Sequence, residues 1–497
     1  MAFVLSIDAG TTGVRTYAVD ETGTPRFSAY REFPQYFPQP GWVEHDADEI
    51  WSATQATLSE VVAHIAQEGA SVAGIGIANQ RETTVAWSKQ TGRPLHRAIV
   101  WQDRRTAERC DQLRTEGFEP TVRSLTGLVL DPYFSGSKME WLLTRGGVEK
   151  SADLALGTID SWLLWCLTGG RVHATDSSNA SRTMLYDIGA LAWSNDLCSK
   201  FGIPIAALPT VMPSSGRFGF TDPERCAGLS VPISGIAGDQ QAALFGQACF
   251  EKGMAKNTYG TGSFVLVNLG TDLPEPARGL LTTIAWRIGN VTTYAMEGSI
   301  FVTGAAVQWL RDGLGIIKEA SAVGPLAQSV PDTGGVFFVP AFTGLGSPHW
   351  DPYARGTILG ITRGTTRAHI ARAVVEAMAF QTCDVMDAIN AASGTAIAEL
   401  RVDGGASAMN LLCQLQADLL GVTVRRPAVL ESTALGAAYL AGIAEGVWGS
   451  PAEASAAWAQ EAEFKPVMGS DEIALRRATW SRAVERSLDW DHTAPTD

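Results

Sequence analysis

FVLSIDAGTTGVRTYAVD, residues 3–20, is the stretch on which the reading of the fold turns. FVLSID (3–8) and VRTYAVD (14–20) are strand-like runs, joined by the Gly/Thr turn AGTTG and followed by a second turn, ETGTP. This spacing predicts two strands of a β-meander whose first turn is rich in backbone N–H groups and hydroxyls. The pattern restarts far downstream: MAKNTYGTGSFVLVNLG (254–270) again reads strand, Gly/Thr turn, strand. A strand with a third glycine turn, LRVDGGAS (400–407), follows later.

Helical patterns lie between these strands. ADEIWSATQATLSEVVAHIAQ (47–67), SKMEWLLTR (137–145) and DSWLLWCLTG (160–169) fall in the first half. HIARAVVEAMAFQTCDVMDAINAA (369–392) and NLLCQLQADLLG (410–421) fall in the second. Asp46 and Glu49 have capping-box spacing at the start of the first helix. The two halves read as variations on one α/β plan, with a cleft between them. We place the division at residues 1–247 and 248–497.

Bulk properties agree with two large domains, because 497 residues exceed one ordinary core. The net charge of −14 argues against a general nucleic-acid binder, which needs clustered Lys and Arg on the phosphates. Seven cysteines without a C-x-x-C pair predict reduced, mostly buried thiols and a cytoplasmic setting. The N-terminus lacks a basic region and no run of 18 apolar residues occurs, so neither a signal peptide nor a membrane span is expected. The sequons at Asn179 and Asn290 are then expected to be idle.

The chemistry must come from short turns. Gly-Lys never occurs, which removes a Walker A loop, and G-x-G-x-x-G is absent as well. No His/Cys cluster has zinc spacing. DAGTTG (8–13), YGTGS (259–263) and VDGGAS (402–407) remain, and such turns can aim N–H groups and Thr hydroxyls at phosphate oxygens. Taken singly, each reads more readily as a plain hairpin, and it is the three together, in this order, that point to phosphate.

One further stretch, SGIAGDQQAALFGQ (234–247), places the lone acid Asp239 at a glycine-marked helix entrance where the first half hands over to the second. Asp239 reads either as the N-cap of the helix or as a catalytic base.

The order DAGTTGVR (8–15), GDQQAALFGQ (238–247), YGTGSF (259–264), VDGGAS (402–407) and STALGAAYLAG (432–442) resembles the actin-like, ribonuclease-H-like ATPases. Within them it resembles the FGGY carbohydrate kinases, whose signatures match YFSGSKMEWLLTR (133–145) and GTILGITRGTTRAHIARAVVE (356–376). FPQPGWVEHDADEIW (37–51), IGIANQRETTVAW (75–87), AIVWQDRRT (98–106) and AFTGLGSPHWDPYARG (341–356) resemble the glycerol-phosphorylating branch of that family. The likeness runs from about residue 3 to about residue 450.

The resemblance implies an α/β protein of two ribonuclease-H-like (actin-like) domains around an interdomain cleft. It also implies ATP-dependent phosphorylation of glycerol to sn-glycerol 3-phosphate. Asp239 is the implied base. Arg81, Glu82, Trp101, Tyr133, Asp239, Gln240 and Phe264 are the implied polyol contacts, and an ion pair or plain core is the bland reading of the same residues. Thr11, Thr12, Gly13, Arg15, Thr261, Gly304, Gln308, Gly405 and Met409 are the implied nucleotide contacts. Asp8 and Asp239 are implied partners of Mg²⁺, in part through water. A homodimer or homotetramer is implied too.

The chain departs from its relatives at several points. Gly13 stands where many have a serine that contacts ATP, and Met409 stands where many have an amide. TDPERCAGLSVP (221–232) lacks the Gly-rich basic loop by which some relatives bind fructose 1,6-bisphosphate. No His lies between His173 and His349, so control by a phosphorylated histidine there is not expected.

Overall fold

The computed structural model describes residues 2–491. Among these residues the chain builds one mixed sheet of thirteen strands. Its first half is a meander with parallel additions. Strands Ala2–Ala9, Gly13–Val19 and Pro25–Glu32 run antiparallel, and Ser71–Asn79 and then Pro232–Gly238 add parallel to the first. The second half repeats the plan. Strands Met254–Tyr259, Ser263–Gly270 and Val291–Ile300 run antiparallel, and Glu399–Asp403 and Val424–Pro427 add parallel to the first of them. Strands Leu281–Ile288 and Ser215–Phe220 join the halves edge to edge.

The predicted helices appear where the periodicity put them. Ala47–Gln67 buries Ile50, Leu58, Val61 and Ile65 against the first meander. Arg367–Ser393 is buried along most of its length in the core of the second half. The expected capping box at Asp46 does not form. The Asp46 side chain accepts from Asp48 N–H, two residues on, while Glu49 accepts from the Tyr36 hydroxyl at 2.8 Å. One residue of difference in where the carboxylate points turns a reciprocal box into a simple cap.

Helix Ser432–Ala444 comes from the far end of the sequence yet packs on helix Asp239–Gly246 and on strands Ser71–Asn79 and Pro232–Gly238. The approach is so close that only glycine fits at the contact: a Cβ on Gly76 would lie 2.1 Å from the Ala437 carbonyl oxygen. All seven cysteines are buried free thiols. No helix among the described residues is long and apolar enough to cross a membrane.

The registers explain where chemistry gathers. Asp8 pairs across from Ala78, and Gly238 from Asn79, so three parallel strands end level with one another. The residues just beyond those ends are Asp8 with its Gly/Thr turn, Arg81 with Glu82, and Asp239. Ligand sites in such sheets lie off the carboxyl ends of the strands.

Candidate active site

Asp239 is the first residue of helix Asp239–Gly246, and Gly238 is the cap. The capping reading is therefore corrected by one position. The Asp239 carboxylate accepts from the Gln240 N–H at 2.7 Å instead of closing the helix as an N-cap. It lies 3.2 Å from Arg81 Nε and keeps 30 % of its side chain open to the cleft. Desolvation raises its pKa above the usual carboxylate range, against the pull of Arg81, the Gln240 N–H and Lys256. Asp8 is pushed up to about 7 by burial and by Asp239, with Arg15 opposing. Asp8 and Asp239 thus stand at neighbouring strand ends, and the charge of Asp239 opposes ionisation of Asp8.

Arg81 and Glu82 are not a surface ion pair, since both are almost fully buried. Arg81 donates to Glu297 at 2.5 and 3.2 Å and to the Tyr133 hydroxyl at 3.1 Å. Glu82 lies 3.8 Å from Arg81 and is held more closely by Arg182, at 2.6 Å. Its backbone is left-handed, with φ of 60°, a strained conformation of the kind that clusters at ligand sites. Arg182 also reaches Glu297 at 3.0 Å. Burial works against a charge on Glu297, but Arg182 and Arg81 overcome it and bring the carboxyl down to about 2.

Three aromatic side chains from distant segments wall the same space. The Trp101 ring meets Tyr133 edge-on at 5.6 Å and Phe264 at 6.5 Å between centroids. The Tyr133 hydroxyl is held in its protonated form by burial, so it stays available as a donor. Lys256 donates to the Gln240 side-chain carbonyl and to Thr258 Oγ1. That contact leaves the amide N–H groups of Gln240 free to face the cleft. Every residue expected at the polyol pocket is thus brought together.

The predicted nucleotide residues fall into two groups. Thr11, Thr12 and Gly13 lie on the first Gly/Thr turn, and Trp101 Nε1 donates to Thr11 Oγ1 at 3.0 Å. Arg15 stacks over the Tyr30 ring and donates to the Tyr17 hydroxyl. Gly13 has a packing reason to be glycine, because a Cβ there would stand 2.6 Å from the Tyr30 hydroxyl and from the Arg31 carbonyl. The serine of other relatives does not fit beside this tyrosine.

The second group stands at the matching strand ends of the other half. Gly304 N–H donates to the Gly260 carbonyl, and Thr261 O accepts from the N–H groups of Thr303 and Ala305. Gln308 follows one turn later on helix Gly304–Asp312, exposed. Gly405 opens the short 3-10 turn Gly405–Ala408, and Met409 precedes helix Asn410–Leu420 next to Gly324.

Arg182, Glu297 and Lys256 were not singled out in the sequence. Glu297 and Lys256 are lone charges inside otherwise apolar or neutral strand runs, which is the signal that marks them. A further lysine, Lys138, is fully buried on helix Ser135–Thr144 and donates to the carbonyls of Pro132 and Tyr133 at 3.1 and 2.5 Å. Burial brings its pKa down to about 7 from 10.5. Between those values the unfolded chain binds the extra proton, so this group's contribution to stability rises with pH, by up to about 1.4 kcal/mol per unit. In thermal melts from pH 6 to 9, the wild type is expected to gain on Lys138→Met as pH rises. A constant difference between the two would refute this.

Paired strand-end turns, with a carboxylate at a helix start between them, are the arrangement expected of a two-domain phosphotransferase of the actin-like ATPase fold, and the comparisons with known proteins place the chain in that class. Residues 3–246 match the N-terminal domain, and residues 255–445 the C-terminal domain, of the FGGY family of carbohydrate kinases. The chain is 57 % identical to a glycerol kinase of Trichlorobacter lovleyi, covering 99 % of both sequences. It is 53 % identical to a glycerol kinase of Desulforamulus reducens, covering 98 % of both. Its fold is similar to the crystal structure of Plasmodium falciparum glycerol kinase with ADP, with a TM-score of 0.93, 35 % identity and 98 % of each chain covered. The chain belongs to the FGGY family of carbohydrate kinases.

Proposed function

We propose that this chain transfers the γ-phosphoryl group of ATP to the terminal hydroxyl of glycerol, giving sn-glycerol 3-phosphate. The observation that carries the reading is the box formed by Arg81, Trp101, Tyr133, Phe264 and Asp239 at one strand end. An uncharged triol is held by hydrogen bonds to its hydroxyls and by aromatic faces along its C–H edges, and this box offers both. Asp239 takes the proton of the attacking hydroxyl. A base whose pKa is raised toward the working pH is better matched to that task than an ordinary aspartate. Arg81 and Glu82 hold the hydroxyls, Gln240 donates to one of them, and the turns at 8–13, 259–263 and 402–407 hold the nucleotide.

Among the described residues no three His, Cys, Asp or Glu side chains gather into a metal nest. The pair Asp8 and Asp239 nevertheless suits Mg²⁺, which keeps several waters and needs only one or two carboxylates beside the substrate phosphates. When bound, that ion neutralises charge on the phosphates. Closure of the lobes 1–247 and 248–497, each containing one family domain, excludes water that would otherwise accept the phosphoryl group. The setting is the cytoplasm, and assembly is as a homodimer or homotetramer.

A coupled ADP-release assay over glycerol, other polyols and ketoses tests the reading. Turnover is expected with glycerol and only traces without an acceptor. A preference for a ketose would assign the chain to another branch of the family. Brisk release with no acceptor would mean an ATPase of a different kind.

A further inference from the structure

The Gly/Thr turn after strand Ala2–Ala9 can bind phosphate only if its N–H groups face the cleft, so its carbonyls must point the other way. Four successive carbonyls are held in that direction. Ala9 O accepts from Gln80 N at 2.8 Å, and Gly10 O accepts from Gln80 Nε2 at 3.0 Å. Thr11 O accepts from Gln35 Nε2 at 2.9 Å, and Thr12 O accepts from Phe33 N at 3.4 Å. Two of the four bonds come from side-chain amides, and one imidazole stands between those amides. His45 is fully buried, packed edge-on to Phe33. Its Nε2 is 2.6 Å from Gln35 Oε1, and its Nδ1 is 3.3 Å from Gln80 Nε2.

The donors and acceptors run in one consistent direction. Thr83 Oγ1 donates to Gln80 Oε1 at 2.9 Å, which fixes the Gln80 amide with its N–H groups toward Gly10 O and His45. His45 Nδ1 is then an acceptor, so the ring proton sits on Nε2 and is donated to Gln35 Oε1. Gln35 is left to present its N–H groups to Thr11 O. Burial, which brings the His45 pKa down to about 4, keeps the ring neutral and so keeps this tautomer.

We infer that His45 is a positioning residue for the nucleotide's phosphates. Through Gln35 and Gln80 it locks the carbonyls of Gly10 and Thr11 away from the cleft and thereby aims the N–H groups of Thr11 and Thr12 into it, the Gly10 N–H being engaged by the Gly13 carbonyl at 3.0 Å. The inference rests on the proposed ATP-dependent reaction and on the turn's place at the phosphates. Without the ring the Gln35 amide is free to rotate, while Gln80 is left with its Thr83 contact alone to orient it, and a flipped peptide would present a carbonyl oxygen to the phosphate instead of an N–H.

Three variants test this, with ATP varied at saturating glycerol and then glycerol varied at saturating ATP. His45→Phe keeps an aromatic ring against Phe33 and removes both hydrogen bonds. It is expected to lower kcat/KM for ATP at least about 10-fold while the KM for glycerol moves less than about threefold. His45→Gln places an amide N–H near the Nε2 position, keeps the donor to Gln35, and is expected to recover part of that loss. A merely structural role predicts the reverse order, because the apolar ring suits the buried site better than a second amide. Gln35→Leu, at a partly exposed position where folding is not at stake, is expected to repeat the ATP-side defect in milder form.

Values for His45→Phe and Gln35→Leu within twofold of wild type would overturn the inference, as would equal losses on the ATP and glycerol sides. Wild type that phosphorylates no polyol would instead overturn the functional reading beneath it.

Discussion

Asp239→Asn is expected to lower kcat with glycerol by about 10²–10⁴-fold, and to leave glycerol binding nearly as it was. The amide fills the same space at the helix start but cannot accept the hydroxyl proton. Binding survives because Arg81 does not depend on Asp239 for its place. Glu297 and the Tyr133 hydroxyl still hold the guanidinium, and the Trp101, Tyr133 and Phe264 rings are untouched. Coupled ADP release gives kcat, and calorimetric titration with glycerol gives the affinity. A variant that keeps more than a tenth of wild-type kcat would remove Asp239 from the proton transfer. A loss confined to glycerol affinity would make it a binding group only.

Glu297→Met is expected to be the most destabilising single change at the site. Glu297 is the shared acceptor of Arg81 and Arg182, all three side chains being at most 2 % exposed. Removing it leaves two buried guanidiniums with Glu82 as the one fully buried carboxylate between them, and breaking a buried ion network in this way costs about 3–5 kcal/mol. The loss appears as a lowered melting temperature together with a raised KM for glycerol, since Arg81 loses its main anchor. Arg182→Met in the same chain should return part of the stability without returning the glycerol affinity, because it removes the excess buried positive charge and leaves Arg81 balanced by Glu82. A melting temperature within a degree or two of wild type would mean that water reaches these groups.

The network around Glu297 is not legible in the sequence motifs, and the reason is physical. Arg81 and Glu82 stand out in a sequence because two opposite charges follow a buried strand. Their partners do not stand out in the same way. Arg182 lies 100 residues from Glu82, and Glu297 lies 216 residues from Arg81. Only the level ends of three parallel strands, with strand Val291–Ile300 brought across from the other half, close those distances. The same holds for Gly13, whose missing side chain is explained by Tyr30 on the adjacent strand.

Local errors had a different origin. The Asp46–Glu49 spacing suggests a reciprocal box where only the Asp46 cap forms, and Asp239 stands one residue inside the helix that Gly238 caps. What the side chain does there depends on φ and ψ at a single residue, which spacing does not encode.

The strands, the long helices, the repeated Gly/Thr turns and the lone acid at residue 239 were therefore determined by the sequence itself, because periodicity and turn chemistry are local properties of the chain. Tertiary structure alone decided which groups answer one another across the cleft: Glu297 beneath Arg81, Lys256 behind Gln240, and His45 beneath the phosphate turn. Those choices depend on strand register and on desolvation, and both are set only when distant segments pack together.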